Sequence, residues 1–464
     1  MYLADSRNST TPSAGATGPT AAPGSTRPGR RSAVPGTVLA LGAVSLITDV
    51  SAEMITAVLP LYVVTALGLS PLGFGLLDGI NNGVGALVRL AGGHLADGGG
   101  RRHKVVAGIG YGLSAVCKPL LLLARGLPAI SAVLAADRAG KGLRTAPRDA
   151  MISLATRPEH RGRAFGVHRA MDTAGALLGP LVAFAVLRVA VDGYDAVFTV
   201  SACVAALGVL VLVLFVPSSP ATTNTGTSTD TNTGTGTGTD TGIASTPAHP
   251  RPTLRDSLAL LRRPALRRLT LCAALLGLTT VSDAFLFLLL QRQLGVPADL
   301  FPLLPLGTAA TFLLLAVPLG ALADRVGRRR LFLAGHAALL LAYALVLAPL
   351  HGPATVVPVL VLHGAFYAAT DGVLAAATAG AVPAEHLGAG QALVGTGQAL
   401  ARFVCSLAFG AAWSFWNGRA ALAMAAVALA SAALVAARLL RTTDTPDTGH
   451  IAHDDPHIPH GAPR

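Results

Sequence analysis

Two stretches decide how this chain is read: Gly320–Arg330, GALADRVGRRR, and Gly92–Arg102, GGHLADGGGRR. Each closes a long apolar run with a glycine, an aspartate and a knot of arginines. A second pair repeats the relation, PEHRG at Pro158–Gly162 and PAEHLG at Pro383–Gly388. Matching landmarks lie at similar offsets, so one structural unit is used twice.

The runs between these landmarks are long enough to span a hydrocarbon core, and they recur from about Thr37 to Arg438. Hydrophobic residues make up 52% of the chain and charged ones 12%, against about 25% charged in a soluble domain. The composition is that of an all-α membrane protein. Twelve helices are expected, over roughly 37–67, 71–96, 104–124, 128–153, 164–188, 195–216, 266–294, 299–323, 331–350, 353–380, 388–413 and 418–438. The net charge of +12 is not a nucleic-acid signature, because the basic residues gather in alternate loops. One side carries 21 Lys and Arg and the other only Arg125, Arg188, Arg292 and Arg419, which predicts cytoplasmic termini and a multi-pass place in the inner or plasma membrane.

Residues 1–35 read as a disordered cytoplasmic tail without the short apolar core of a cleavable signal. Between the sixth and seventh helices, 217–265 holds ATTNTGTSTDTNTGTGTGTDTG, a Thr/Gly tract that buries nothing and reads as a cytoplasmic linker. It separates an N-terminal six-helix bundle, 36–216, from a C-terminal one, 266–440. Residues 441–464 form a His-rich tail that is read as disordered and cytoplasmic. Cys117, Cys203, Cys272 and Cys405 all fall in apolar runs, with no disulfide or CxxC pattern.

With these landmarks the chain resembles the major facilitator superfamily from about residue 37 to 440. The pattern G-x-x-x-D-[RK]-x-G-[RK]-[RK] follows the second helix of each half. Gly320, Asp324, Arg325, Gly327, Arg328 and Arg329 match it fully; the first copy keeps Gly93, Asp97, Arg101 and Arg102 but has Gly98 in place of a base. The resemblance implies two pseudo-symmetric six-helix bundles and a gating role for this motif. An Asp at a helix end can pair with loop arginines and a neighbouring helix N-terminus. Gly175, Gly179 and Pro180 of the fifth helix resemble an antiporter signature, with Ala183 for its last glycine. Ordinary small-residue packing remains the other reading. Arg138 and Gly142 match an R-x-x-x-G element in which the family links the arginine to proton coupling. The longer D-R-x-G-K-G-x-R-x-A-P-R-D looks like that of a bacterial permease subgroup.

That stretch, Asp137–Asp149, places six charges in the fourth helix. At 100° per residue, Asp137, Lys141, Arg144 and Arg148 share a face about 60° wide. An arginine facing lipid costs at least about 2.5–3.5 kcal/mol, so the stripe is expected to face the bundle interior or a polar cavity. Pro147 is expected to bend or end the helix. The equivalent tenth helix, HGAFYAATDGVLAAATAGAVP, is almost uncharged, so the architecture does not require the charges. They either form a self-neutralising network that orders the bundle or serve transport. Arg138, Lys141, Arg144, Lys118, Asn81, Asn82, Asp283, Asp371 and Arg402 are the expected cavity residues. Asp49, Glu53, Asp172 and Arg138 are the expected proton-coupling residues, since a carboxylate that leaves a basic partner changes its proton affinity.

The expected function is secondary active transport, proton-coupled and outward, of a small anionic or zwitterionic molecule by a monomer in a lipid bilayer. No nucleophile, nucleotide or cofactor motif appears: Gly140-Lys141-Gly142 lacks the spacing of a P-loop, so neither an enzyme nor a nucleotide-driven pump is expected. Two alternatives stay open. His450, His453, His457 and His460 beside Asp454 and Asp455 could bind a divalent metal loosely, as in a Ni/Co/Zn efflux permease. A non-transporting membrane sensor is the other.

Overall fold

The computed structural model describes residues 34–95, 100–191, 193–217, 259–349, 353–383 and 387–440. The N-terminal half runs α1 Gly36–Leu61, α2 Pro71–Leu95, α3 Gly100–Leu123, α4 Leu127–Leu154, α5 Arg161–Val189 and α6 Gly193–Phe215. The C-terminal half runs α7 Pro264–Thr279, α8 Asp283–Leu294, α9 Leu303–Val326, α10 Arg328–Leu347, α11 Val356–Ala381, α12 Leu387–Phe415 and α13 Gly418–Leu439. Ten helical segments are long and apolar enough to cross a membrane, one of them joining α7 to α8. With α2, of 25 residues, and α4, of 28, which are long enough to cross but carry more polar residues, the spans come to twelve among the described residues.

Local chemistry sets several of the boundaries. Gly126 takes φ +84° and Pro128 falls in the first turn of α4, where its missing N–H is no loss. Ahead of the five-residue π-turn Tyr62–Ala66, Pro60 interrupts the ladder of α1. Pro147, expected to bend or end the fourth helix, lies inside α4, which runs on to Leu154.

The seventh span departs from expectation. It is two helices, broken at Thr280-Val281-Ser282, rather than one over 266–294. A broken helix at membrane depth survives only where its freed backbone groups find partners inside the protein. Here Val281 N–H donates to Tyr343 Oη at 2.9 Å, and Cys405 Sγ donates to the Thr280 carbonyl at 3.3 Å. Asp283 stands at the first position of α8, where its charge suits the helix dipole.

Packing reproduces the internal repeat. In the first half α1 lies on α5 and α4 lies on both α2 and α3; in the second, α7 lies on α12 and α11 on both α9 and α10. The halves meet through α2 with α12 and α5 with α9, contacts that the repeat exchanges. Small residues make the closest crossings. A Cβ on Gly175 would lie 2.5 Å from the Leu46 carbonyl, and one on Gly179 would lie 2.7 Å from Glu53 Cβ, so α5 presses directly on α1. Across the halves, a Cβ on Gly75 of α2 would lie 2.5 Å from the Ser406 carbonyl of α12.

One end of the bundle is sealed. Phe74 of α2 meets Phe285 edge-on at 4.9 Å between ring centres, and Phe285 meets Phe409 at 4.8 Å and Trp413 at 5.8 Å. Nearer the surface, Leu72 N–H donates to Ser414 Oγ at 3.0 Å and Arg188 pairs with Asp299 at 2.9 Å.

Candidate functional site

Beneath the sealed end lies a cavity of about 230 Å³ between the halves. Its wall takes Glu53 and Thr56 from α1, Asp78, Asn81 and Asn82 from α2, and the broken span from Thr280 to Phe287. Tyr367 of α11 and Arg402 and Ser406 of α12 complete it. Ser282, at the break in the seventh span, stands on this wall and gives its hydroxyl to Asp78.

Most of its acids are already held. Tyr367 Oη donates to Asp283 Oδ1 at 2.6 Å, and His363 Nε2 stands 3.3 Å from the same oxygen. Asp78 accepts hydroxyls from Ser282 and Ser406. Arg402 differs from them. Its guanidinium lies over the Tyr367 ring at 6.0 Å, its Nε has no hydrogen-bond partner, and no described carboxylate forms an ion pair with it. A smaller gap on its far side brings in Asp371 and Gln398.

The helix-four charges stand behind this cavity, among α1, α3, α4 and α5. Lys118 Nζ lies 2.8 Å from Asp137 Oδ1, both side chains buried, and Arg138 reaches the other oxygen of Asp137 at 3.7 Å. Arg144 Nη2 lies 3.1 Å from Asp49 Oδ1 with its guanidinium 4.5 Å over the Tyr111 ring. Lys141 sits 3.7 Å from both Asp49 and Glu53. Arg148 pairs with Asp149 at 3.1 Å and reaches Asp172 at 3.7 Å. Asp49, beside Lys141 and Arg144, and Asp172, beside Arg148, thus lie along the same side of α4. The result is a row of ion pairs along α4 in three groups, around Asp137, around Asp49 with Glu53, and around Arg148. Two of its members touch the cavity wall: Glu53 is part of the wall, and Arg138 donates to Thr56 at 3.3 Å.

Seven of the nine expected cavity residues separate into two groups, with Asp371 at the smaller gap beyond Arg402 and Arg138 reaching the wall through Thr56. Asn81, Asn82, Asp283 and Arg402 line the cavity, whereas Lys118, Lys141 and Arg144 surround a closed gap of about 10 Å³ behind it. The expected proton-coupling carboxylates Asp49, Glu53 and Asp172 lie along the row of ion pairs. Gly175 and Gly179 make the α5–α1 crossing, and Pro180 is buried within α5.

In the second gating motif, Gly327 supplies the α9–α10 turn at φ +97°, a conformation L side chains rarely adopt. Asp324 is 74% exposed, 4.0 Å from Arg328, and Arg328 donates to the Ala376 carbonyl at 3.4 Å. Asp97 of the first copy lies outside the described residues, as do His450, His453, His457 and His460; Gly93 is in α2, and Arg101 and Arg102 are in the first turn of α3.

The sequence does not single out Ser282, Ser406, Tyr367 or Tyr343. Serine and tyrosine in a membrane helix carry no positional signal of their own. The run TTVSD at Thr279–Asp283 did carry one, since β-branched residues followed by Ser-Asp favour a helix start.

The family model described as Major Facilitator Superfamily matches residues 41–313 and 269–459. An uncharacterised MFS-type transporter of Methanocaldococcus jannaschii is 27% identical over 307 residues, 64% of this chain and 69% of that protein. An uncharacterised protein of Mycobacterium tuberculosis is 35% identical over 160 residues, 34% of this chain and 38% of that protein. Among solved structures, the peptide transporter POT in complex with sulfate superposes with a TM-score of 0.67 at 16% identity, covering 88% of this chain and 94% of that one. At that identity the likeness establishes the fold alone.

Proposed function

The chain belongs to the Major Facilitator Superfamily, whose members are transporters and not enzymes, and on that premise we propose that it exports a small zwitterionic or anionic molecule in exchange for protons. The observation that carries the substrate charge is Arg402, a guanidinium on the cavity wall that forms no ion pair with a carboxylate among the described residues. A base left unpaired in a low-dielectric cavity favours a bound anion. Glu53 on the opposite half gives an ammonium group somewhere to bind. This moves anion recognition from Arg138, Lys141 and Arg144 to Arg402. The helix-four bases are left to hold the coupling carboxylates.

Coupling is read from the row of ion pairs. Asp49 sits beside Lys141 and Arg144 and Asp172 beside Arg148, and a carboxylate that leaves its basic partner changes its proton affinity. Glu53 shares Lys141 with Asp49 and also faces the cavity, so a substrate ammonium and a proton compete for one connected set of charges. The pattern Asp137–Asp149 would then mark a permease subgroup built on this row of pairs. In this reading the chain is a monomer in the inner or plasma membrane with both termini cytoplasmic. Bundles 36–216 and 266–440 rock about the cavity, and the arginine-rich turns gate its cytoplasmic end. Export is supported by the glycine–proline element of α5 against α1.

The test is a substrate screen in proteoliposomes with a pH dye trapped inside. Arg402→Gln breaks no ion pair among the described residues, so the protein should fold normally and lose substrate-dependent proton movement. Lys141→Gln with Arg144→Gln should also abolish it. Full transport by both variants would remove the proposal.

A further inference from the structure

Asp78 has no part in the scheme above. It lies seven residues into α2, about 10 Å below the helix start at the sealed end. The carboxylate is buried, and its three partners are two hydroxyls and a carboxamide. Ser282 donates to Oδ1 at 2.8 Å, Ser406 donates to Oδ2 at 2.5 Å, and Asn82 reaches Oδ2 at 3.4 Å. Asn82 belongs to the same helix. Both serines belong to the other half of the protein, one at the break in the seventh span and one on α12.

The groups around it are accounted for. From α8, Asp283 is held by Tyr367; from α12, Arg402 shares the cavity wall and Cys405 is committed to the Thr280 carbonyl. From α1, Glu53 lies across the cavity beside Lys141, and Tyr62 of the π-turn packs on Tyr194 and Phe198. From α4, the other helix packed on α2, Arg138 is engaged by Asp137 and Thr56.

Any motion that opens the sealed end must draw α2 away from α12 and from the α7–α8 break, which takes both hydroxyls from the carboxylate. A buried carboxylate that loses its donors bears the full cost of its missing solvation, whereas a neutral carboxyl bears far less. We infer that Asp78 is a proton-released latch between the halves: as the anion it holds the sealed end shut, and once protonated it lets that end open. This would make it a positioning residue for transport, and the inference rests on the transporter reading for its use but not for its measurement.

The experiment measures the latch itself. Spin labels are placed at Val191→Cys and Trp416→Cys, on opposite halves at the sealed end, with Cys117, Cys203 and Cys272 replaced by Ala and Cys405 by Ser. Distance distributions are recorded in nanodiscs from about pH 8 to about pH 5. The expected result is one short distance at high pH and a longer population that grows as pH falls. Asp78→Asn should show the longer population at every pH. Ser406→Ala, which keeps the carboxylate but removes a donor, should open at a higher pH than the parent, and it carries the test if the Asn variant does not fold. Unchanged pH dependence in Asp78→Asn or in Ser406→Ala would overturn the latch, as would a parent distance that ignores pH. A pH-driven opening without transport of any substrate would leave the latch standing and remove only the transporter mechanism proposed above.

Discussion

Lys118→Met offers the sharpest separation of structural from functional charge. Lys118 and Asp137 are both buried and 2.8 Å apart, so the substitution leaves a carboxylate inside the bundle with Arg138 at 3.7 Å as its remaining base. Breaking a buried pair by removing one partner costs about 3–5 kcal/mol, whereas replacing both by apolar groups is about neutral or better. Since Arg138 stays, the loss should fall near the lower figure, about 3 kcal/mol, or roughly two decades in the folding equilibrium. Adding Asp137→Leu should recover most of it, because Arg138 keeps its hydrogen bond to Thr56. Reversible unfolding in mixed micelles, followed through the two tryptophans, Trp413 and Trp416, measures both variants. If the pair serves transport, the double variant should be as stable as the parent and still fail to move protons with substrate. A single variant that loses less than about 1 kcal/mol, or a double variant less stable than the single, would refute the reasoning.

Two further substitutions test the packing that positions the site. Gly175→Ala puts a methyl 2.5 Å from the Leu46 carbonyl and should cost about 1–3 kcal/mol, while Gly320→Ala meets nothing within 4 Å and should leave the same unfolding curve unchanged or slightly more stable. Tyr343→Phe leaves the Val281 N–H without its acceptor at the break in the seventh span, and should cost about 1–3 kcal/mol in the same assay, with faster amide exchange across Thr280–Ser282 as its local signature.

Much of the architecture was legible in the chain. Apolar runs of membrane-spanning length, the Gly-x-x-x-Asp turns and the Thr/Gly tract each report a local property, and the membrane converts local hydropathy into topology because unpaired backbone cannot face lipid. The charged face of α4 was legible for a related reason: a stripe of arginines in a membrane helix has to point inward. The place of those charges inside the bundle was not legible. Helical periodicity assigns Lys141 and Arg144 to one face, but whether that face meets a cavity or the carboxylates of α1 depends on how α1, α3, α4 and α5 pack.

The same division holds for the break in the seventh span and for Asp78. Sequence alone determined the spans, the twofold repeat, the inward charges of α4 and the family, because hydropathy and motif spacing are carried within single segments. Tertiary structure decided that α7 and α8 are separate helices, that Arg402 is the base on the cavity wall without an ion pair to a carboxylate among the described residues, and that Asp78 joins the halves through Ser282 and Ser406. The last of these depends on atoms about 200 to 330 residues apart meeting within about 3 Å. A serine or a tyrosine shows no sign in the sequence of which partner it will meet, since its hydroxyl is satisfied equally well by any group the packing brings to it.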